Sequence, residues 1–230
     1  MSTTKKTKRE QILFLCQFSI LLAIEIIVCF TPLGTLPSLG MLSATLSHVP
    51  VIITAVILGM KAGALMGFAF GACSFIYWTF VAPGAFSFIY TPFYTLGEYQ
   101  GNFGSLLICF VPRILIGVVT VLVMKGLMKL IKNEFAAAAI AGVCGTLTNT
   151  LLVLLGIYVF FGNEYYALAS DGSRTLLAFL GVVVLTNGLP EAVIGGVAAS
   201  AIAVPVKRAV GKRYLKVPAK PQEQKDTENQ

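Results

Sequence analysis

The sequence predicts an all-α integral membrane protein with a bundle of six transmembrane helices and with both the N- and C-termini in the cytoplasm. The first observation behind this prediction is composition: 57% of the 230 residues are hydrophobic and only 12% are charged. Soluble domains carry roughly 25% charged residues, so this chain has too little polar surface to cover a water-soluble globule. The second and third observations are the spacing of its apolar runs and the placement of its basic residues.

Six apolar runs follow one another along the chain, and a helix of about 20 residues crosses the hydrocarbon layer of a bilayer. The runs cover 11–31, 47–60, 62–80, 103–131, 134–161 and 174–206. The first run follows basic residues, as in a signal peptide. It is longer than a signal core and no A-x-A-like cleavage site follows it, so we interpret it as the first membrane helix. The second run is short, and we expect it to span the membrane or nearly so.

The segments between and beyond these runs divide the chain into three parts. Residues 1–10 form a basic N-terminus, residues 11–210 the six-helix membrane domain, and residues 211–230 a polar, disordered cytoplasmic tail. Two outer segments, 32–46 and 81–102, are rich in loop-forming residues and predict structured loops. The aromatic residues of the second segment indicate either an interfacial belt or a lid over an outward-facing pocket.

The basic residues fix the predicted orientation, because Lys and Arg collect on the cytoplasmic side of membrane proteins. In the six-helix arrangement fifteen of the 17 basic residues fall on one side, and only Arg113 and Arg174 do not. The net charge of +7 is therefore explained by a cell-membrane location without nucleic acid. The fifteen are Lys5, Lys6, Lys8, Arg9, Lys61, Lys125, Lys129, Lys132, Lys207, Arg208, Lys212, Arg213, Lys216, Lys220 and Lys225.

The sequence contains no pattern typical of an enzyme, a metal centre or a cofactor site. There is one histidine, and the H-E-x-x-H, G-x-S-x-G and G-x-x-x-x-G-K-[ST] motifs are absent. The five cysteines lie in apolar runs without a C-x-x-C pair, and we expect them to be buried free thiols. Small residues spaced four apart predict close helix contacts within the bundle. They are Gly63, Gly67 and Gly71 on the third helix and Gly195, Ala199 and Ala203 on the sixth.

Three polar side chains from three different helices are predicted to reach one layer near the membrane midplane. Arg113, Asn149 and Asn187 lie roughly 15, 18 and 20 Å from the outer ends of their helices, at about 1.5 Å per residue. Glu191 follows one helical turn deeper on the face of Asn187. This layer is either a structural network, with Arg113 paired to Glu191 or Glu25, or a solute pocket that opens outward. In a pocket, Arg suits a carboxylate, and Asn suits amides and hydroxyls.

Two further residues near this layer have predicted orientations. His48 opens the second helix, where it is either an interfacial hydrogen-bonding group or a solute contact. Glu25 lies about 200° around the first helix from Ala23, at 100° per residue. We therefore expect Glu25 to face the bundle, on the side opposite Ser19 and Ala23.

Four stretches of the sequence resemble the substrate-binding S components of energy-coupling factor (ECF) vitamin transporters, most closely the pantothenate-specific group. The stretches are SHVPVIITAVILGMKAGALMGFAFGACSF (47–75), FVPRILIGVV (110–119), GTLTNTLLVLLGIYVFFG (145–162) and TNGLPEAVIGG (186–196). The resemblance implies a bacterial membrane subunit that captures a B vitamin from outside. Its partners would be a T-type transmembrane coupling protein and two ABC-type ATPases. Small residues on the first helix contact the coupling protein in that family, which implies this role for Ser19 and Ala23.

The resemblance also suggests how the polar residues would bind pantothenate, which carries a carboxylate, an amide and hydroxyls. Arg113 would pair with the carboxylate, and the outer loops would close over the site. Other interpretations remain: an S component for another vitamin such as folate or riboflavin, a self-contained ion-coupled carrier, or a structural membrane protein. No inverted repeat is visible, which disfavours the carrier. The complete predicted binding set is Arg113, Asn149, Asn187, His48, Glu191, Tyr90 and Tyr94.

Overall fold

A computed structural model describes residues 8–34, 45–169 and 175–215 as a bundle of helices. Three pi-helical segments lie among the described residues, at Tyr77–Val81, Val184–Gly188 and Ala198–Ala203. The last two connect three helices near the C-terminus without a break. Residues 176–215 therefore form one continuous helical segment. The helices are α1 Lys8–Phe30, α2 Val49–Leu58, α3 Met60–Ile76, α4 Phe103–Leu130, α5 Glu134–Ala169, α6 Leu176–Val183, α7 Leu189–Val197 and α8 Val204–Leu215.

Five of the six predicted membrane segments are long and apolar enough to cross a bilayer in the described part of the chain. The exception is the second segment in chain order. Its helix, α2, has only 10 residues and a length of about 15 Å, which is half of the hydrocarbon thickness of about 30 Å. Ser47 and His48, just before α2, are buried inside the bundle. Within the described residues the second segment is therefore a short helix preceded by a buried stretch of chain, and that it spans the membrane or nearly so stays a prediction.

The ends of two segments differ from the predicted bounds. Helix α5 runs to Ala169, beyond the predicted end at residue 161, but Phe161 itself has non-helical angles (φ −139°, ψ 21°). The predicted end therefore coincides with a break inside α5. Helix α8 runs to Leu215, past the domain boundary predicted at 210. Residues 1–7, 35–44, 170–174 and 216–230, which include Arg174 and most of the first outer loop and of the tail, lie outside the described residues.

The second outer loop is ordered, as the sequence predicts. It contains a 3-10 turn at Ser87–Ile89 and an antiparallel hairpin of β1 (Thr95–Leu96) and β2 (Tyr99–Gln100). The two-residue hairpin turn begins at Gly97, whose φ of +59° suits glycine. Phe88 in the 3-10 turn is fully buried, so this loop supplies part of the core on the outer side of the bundle.

Two separate apolar clusters fill the bundle, one toward each end. We call the cluster that includes the 3-10 turn of the second loop the outer cluster, and the other one the inner cluster. Along α4, Ile108 belongs to the outer cluster and Ile116 to the inner one. Along α5, which follows α4 after a short turn, Ala141 belongs to the inner cluster and Val153 to the outer one. The residues between these positions form a layer between the two clusters, and this layer contains the predicted polar site.

Small residues bring the helices close together, as predicted. A β-carbon on Gly67 would clash with the backbone carbonyl of Arg113, and one on Gly117 would clash with the backbone of Gly63. Helix α3 therefore packs backbone against backbone on α4. Between α5 and the C-terminal segment, a β-carbon on Gly195 would clash with the Thr146 hydroxyl.

Helix α1 lies at the edge of the bundle, with Glu25 as its only buried side chain in the described part of the helix. Ser19 and Ala23 are exposed, which confirms that Glu25 faces away from them into the bundle. All five cysteines are free. Burial was expected for all of them, but only Cys73 and Cys109 are buried, whereas Cys29 and Cys144 are half-buried. Cys16 is exposed, because it lies on the side of peripheral α1 that faces away from the bundle.

Candidate solute site in the polar layer

The structure brings five predicted polar residues into the layer between the two apolar clusters. Each comes from a different part of the chain. His48 directly precedes α2, Arg113 lies in α4, Asn149 in α5, Asn187 in the pi-helical segment Val184–Gly188, and Glu191 in α7. All five side chains are less than 10% exposed. The residues are His48 (0%), Arg113 (6%), Asn149 (9%), Asn187 (6%) and Glu191 (7%).

Arg113 is a buried cation that forms no ion pair with a carboxylate of the described residues. Its Nη1 donates a hydrogen bond of 2.6 Å to the carbonyl of Ile108. The guanidinium carbon lies 5.5 Å from the ring centre of Phe70 and 5.3 Å from that of Tyr90. Its Nε is buried with no hydrogen-bond partner in the described ranges. The predicted structural pairing with Glu191 or Glu25 is therefore not formed as an ion pair, and Nε is left without a hydrogen-bond partner in the described chain.

Glu191 instead holds the end of the first outer loop against the helices. Its Oε1 accepts hydrogen bonds from the backbone N–H of Thr45 at 2.5 Å and from the Thr45 hydroxyl at 3.4 Å. Its Oε2 accepts from the Thr150 hydroxyl at 3.5 Å. Leu46 donates its N–H to the carbonyl of Gly34 at 2.8 Å, so both ends of this loop are joined. Glu191 thus fixes where the loop meets the polar layer.

Besides Arg113, two groups in the layer have side-chain atoms without a hydrogen bond of good geometry in the described chain. These atoms are the two ring nitrogens of His48, which lie close to the backbone of Thr45 and Glu191, and the carbonyl oxygen of Asn149. Leaving a buried polar atom unpaired costs about 1–3 kcal/mol. Such atoms in a native fold indicate a partner from outside the protein chain, such as a solute or water.

Asn187 owes its position to an irregular helix. It lies in the pi-helical segment Val184–Gly188, and such bulges are frequent at functional sites because they widen one turn and redirect its side chains. Gly188, the next residue, packs closely against the Thr150 side chain. Nothing in the hydropathy of the sequence distinguishes this segment from a regular helix.

The outer wall of the layer is aromatic. Tyr90 lies over Arg113 and stacks on Trp78, with ring centres 5.4 Å apart. Tyr94 packs against the outer cluster without being fully buried. Both predicted tyrosines therefore lie on the side of the layer that borders the outer cluster.

Sequence reasoning missed several residues that shape the site. Tyr165 is fully buried, its hydroxyl has no partner among the described residues, and its ring lies 5.4 Å from that of Phe86 and 5.9 Å from that of Phe179. Thr45 and Thr150 bind Glu191 as described above. A hydroxyl residue or a tyrosine in an apolar run carries no signal of its own, and only the structure identifies these three.

The arrangement suits the binding of a small anionic solute. It offers the cation of Arg113, an acceptor from Asn149 and the imidazole of His48, and the rings of Phe70 and Tyr90 border the guanidinium. The described residues contain no cluster of three or more His, Cys, Asp or Glu side chains that could hold a metal ion.

Comparison with known proteins points to transport. A family model described as the substrate-specific component of ECF transporters matches residues 14–205. A curated relative from Lactococcus lactis subsp. cremoris (strain MG1363), the pantothenic acid transporter PanT, is 37% identical over 166 residues. This match covers 72% of the present chain and 78% of the relative.

A solved structure has the same fold. It is the S component for biotin from an ECF-type ABC transporter, with a TM-score of 0.54 at 15% sequence identity. The likeness covers 90% of the present chain and 95% of the solved one. At this low identity the comparison concerns the architecture of the bundle alone.

Proposed function

The chain belongs to the family of substrate-specific components of ECF transporters, and we propose that it is the subunit that captures pantothenate with high affinity from outside a bacterial cell. It lies in the cell membrane as a multi-pass protein. The observation that carries the choice of ligand is Arg113, a buried cation without a carboxylate partner in the described chain. A carboxylate from the solute supplies the missing charge.

The chemistry of pantothenate matches the layer group by group. Its carboxylate pairs with the guanidinium of Arg113, since Arg binds carboxylates through two parallel hydrogen bonds. Its amide and hydroxyls meet the side chains of Asn149, Asn187 and His48, which together offer donors and acceptors. The name of the curated relative, which is 37% identical, supports the same ligand.

Transport requires partners that this chain does not contain. We propose that it joins a T-type transmembrane coupling protein and two ABC-type ATPases, which supply the energy, and that it is not itself an enzyme. The exposed side of α1 that carries Ser19 and Ala23 offers a surface without bulky side chains at these positions. Small residues at this spacing allow another helix to approach closely.

Calorimetric titration of the purified protein with pantothenate, riboflavin, thiamine, biotin and folate tests the ligand. Pantothenate is expected to bind tightly and the other vitamins weakly or not at all. Binding of another vitamin without pantothenate would overturn the assignment, and no binding at all would favour a purely structural role. Uptake of pantothenate by proteoliposomes that contain this chain alone, without ATPases, would favour a self-contained carrier instead.

Substitution of Arg113 tests the site itself. Arg113→Gln is expected to lower the affinity for pantothenate about a hundredfold, because it removes two charge-assisted hydrogen bonds in a buried layer. Lys129→Gln, an exposed cation toward the other end of the same helix, is the matched control and should leave binding unchanged. Equal affinity of the Arg113→Gln variant and the wild type would remove Arg113 from the site.

A further inference from the structure

Helix α4 contains a proline in its interior, one residue before Arg113. Pro112 is buried within Phe103–Leu130. In a regular α-helix the N–H of residue 112 would donate to the carbonyl of residue 108, but proline has no N–H. The carbonyl of Ile108 therefore lacks its usual helical donor.

The guanidinium of Arg113 occupies this carbonyl. Its Nη1 donates to the Ile108 oxygen at 2.6 Å, so the arginine is tied to the backbone of its own helix about one turn outward. The aromatic rings of Phe70 and Tyr90 lie close to the same guanidinium. A side chain held at one nitrogen and bordered by two rings has lost most of its rotational freedom before any solute arrives.

The tether also determines which edge of the guanidinium is available. Nη1 is occupied, whereas Nε has no hydrogen-bond partner in the described part of the chain. An arginine binds a carboxylate with two parallel hydrogen bonds when one edge of its fork is presented as a unit. An alcohol has a single uncharged oxygen, so it cannot accept two parallel, charge-assisted hydrogen bonds as a carboxylate does.

We propose that Pro112 is a positioning residue: by leaving the Ile108 carbonyl to Arg113, it turns the Nε edge toward the solute and sets the selectivity for a carboxylate over an alcohol. This inference rests on the proposed function, because it concerns the same site. Pre-organisation of this kind improves affinity by lowering the entropy that a group loses on binding. An N–H at position 112 would compete for the carbonyl and release the guanidinium.

The variant Pro112→Ala, titrated with pantothenate and with pantothenol, tests this role. Pantothenol carries an alcohol in place of the carboxylate and is otherwise the same molecule. We expect the affinity for pantothenate to fall about tenfold, the equivalent of about 1.4 kcal/mol, and the affinity for pantothenol to change less than about twofold on the same scale. Thermal stability should not fall, because the substitution removes a helix-breaking residue from a helix interior.

Two further variants make the result decisive. Pro205→Ala replaces another proline in a helical segment, exposed and near the start of α8, and should leave both affinities unchanged. Pro112→Val, closer to proline in volume, should repeat the selective loss if the alanine variant folds poorly. An equal change for both ligands, or no change for either, would overturn the role of Pro112. Failure of the wild type to bind pantothenate would instead count against the proposed function.

Discussion

A charged side chain near the middle of a membrane raises the free energy of the folded protein unless other groups compensate for the charge. The groups that surround such a side chain therefore indicate its function. Arg113 is compensated here by a backbone carbonyl and two aromatic rings rather than by a carboxylate of the described chain. Glu191, one of the two partners predicted for Arg113, accepts hydrogen bonds from Thr45 and Thr150 instead. At the scale of single residues, the cation and the anion of the layer lie near each other without forming a direct ion pair.

Glu25 is a second buried acid, and its role concerns packing. One of its oxygens accepts a hydrogen bond from the Cys29 thiol at 3.2 Å, whereas the other has no partner among the residues described. We predict that Glu25→Gln leaves stability nearly unchanged, because an amide oxygen can still accept from the thiol. Glu25→Ala should lower stability by about 1–3 kcal/mol, since it removes that bond and leaves α1 without its buried side chain.

Thermal unfolding of the detergent-purified protein measures this difference. Glu98→Ala, in the exposed turn of the outer hairpin, is the control and should have no effect. An alanine variant at position 25 as stable as the wild type would show that α1 is held by other contacts.

At the scale of whole elements, the close contact of α3 and α4 places Arg113. Gly67 lies against the carbonyl of Arg113, so the glycine spacing on α3 and the site on α4 belong to one packing arrangement. A larger residue at position 67 must push α3 and α4 apart. This moves the backbone of Arg113, and the guanidinium moves with it. The small-residue pattern that predicts packing therefore also supports the site.

A pair of glycine substitutions tests this coupling. Gly67→Ala is expected to lower stability by about 1–3 kcal/mol through overpacking and to weaken pantothenate binding. Gly126→Ala, in α4 where a β-carbon meets no atom within 4 Å, should raise stability by about 0.5–1 kcal/mol, because alanine favours the helix. Denaturation and titration of both variants measure these effects, and a stable Gly67→Ala variant with unchanged affinity would contradict the coupling.

The elements also show what a sequence can reveal in a membrane protein and what it cannot. Hydropathy alone predicts the long membrane-spanning helices. The position of Arg113, Asn149 and Asn187 inside the bundle could also be predicted, because polar side chains must avoid lipid. The pi-helical segments and the entry of His48 at mid-depth could not be predicted, since lipid-facing and buried faces are both apolar here. Tyr165 was missed for the same reason: a buried tyrosine and one at the interface look alike in sequence.

At the scale of the whole molecule, the described basic residues other than Arg113 lie toward one end of the helices. One cavity at this end is lined by Gly59 after α2, Lys125 near the end of α4 and Lys207 in α8. Lys207 and Arg208 also pair with Glu134 at the start of α5, at 3.0 and 2.9 Å. These ion pairs are partly exposed and contribute about 0–1 kcal/mol to stability. They matter here because they show that this end of the bundle is the more basic one.

The positive-inside rule turns this asymmetry into a prediction of orientation. With the basic end in the cytoplasm, the aromatic hairpin faces outward and the polar layer is reached from outside. In a cysteine-free variant, Glu98→Cys in the hairpin turn should react with a membrane-impermeant maleimide in intact cells. Lys61→Cys, exposed at the start of α3, should react only after the membrane is permeabilised. The reverse labelling pattern would open the solute site to the cytoplasm, and a subunit oriented that way could not capture a vitamin from the medium.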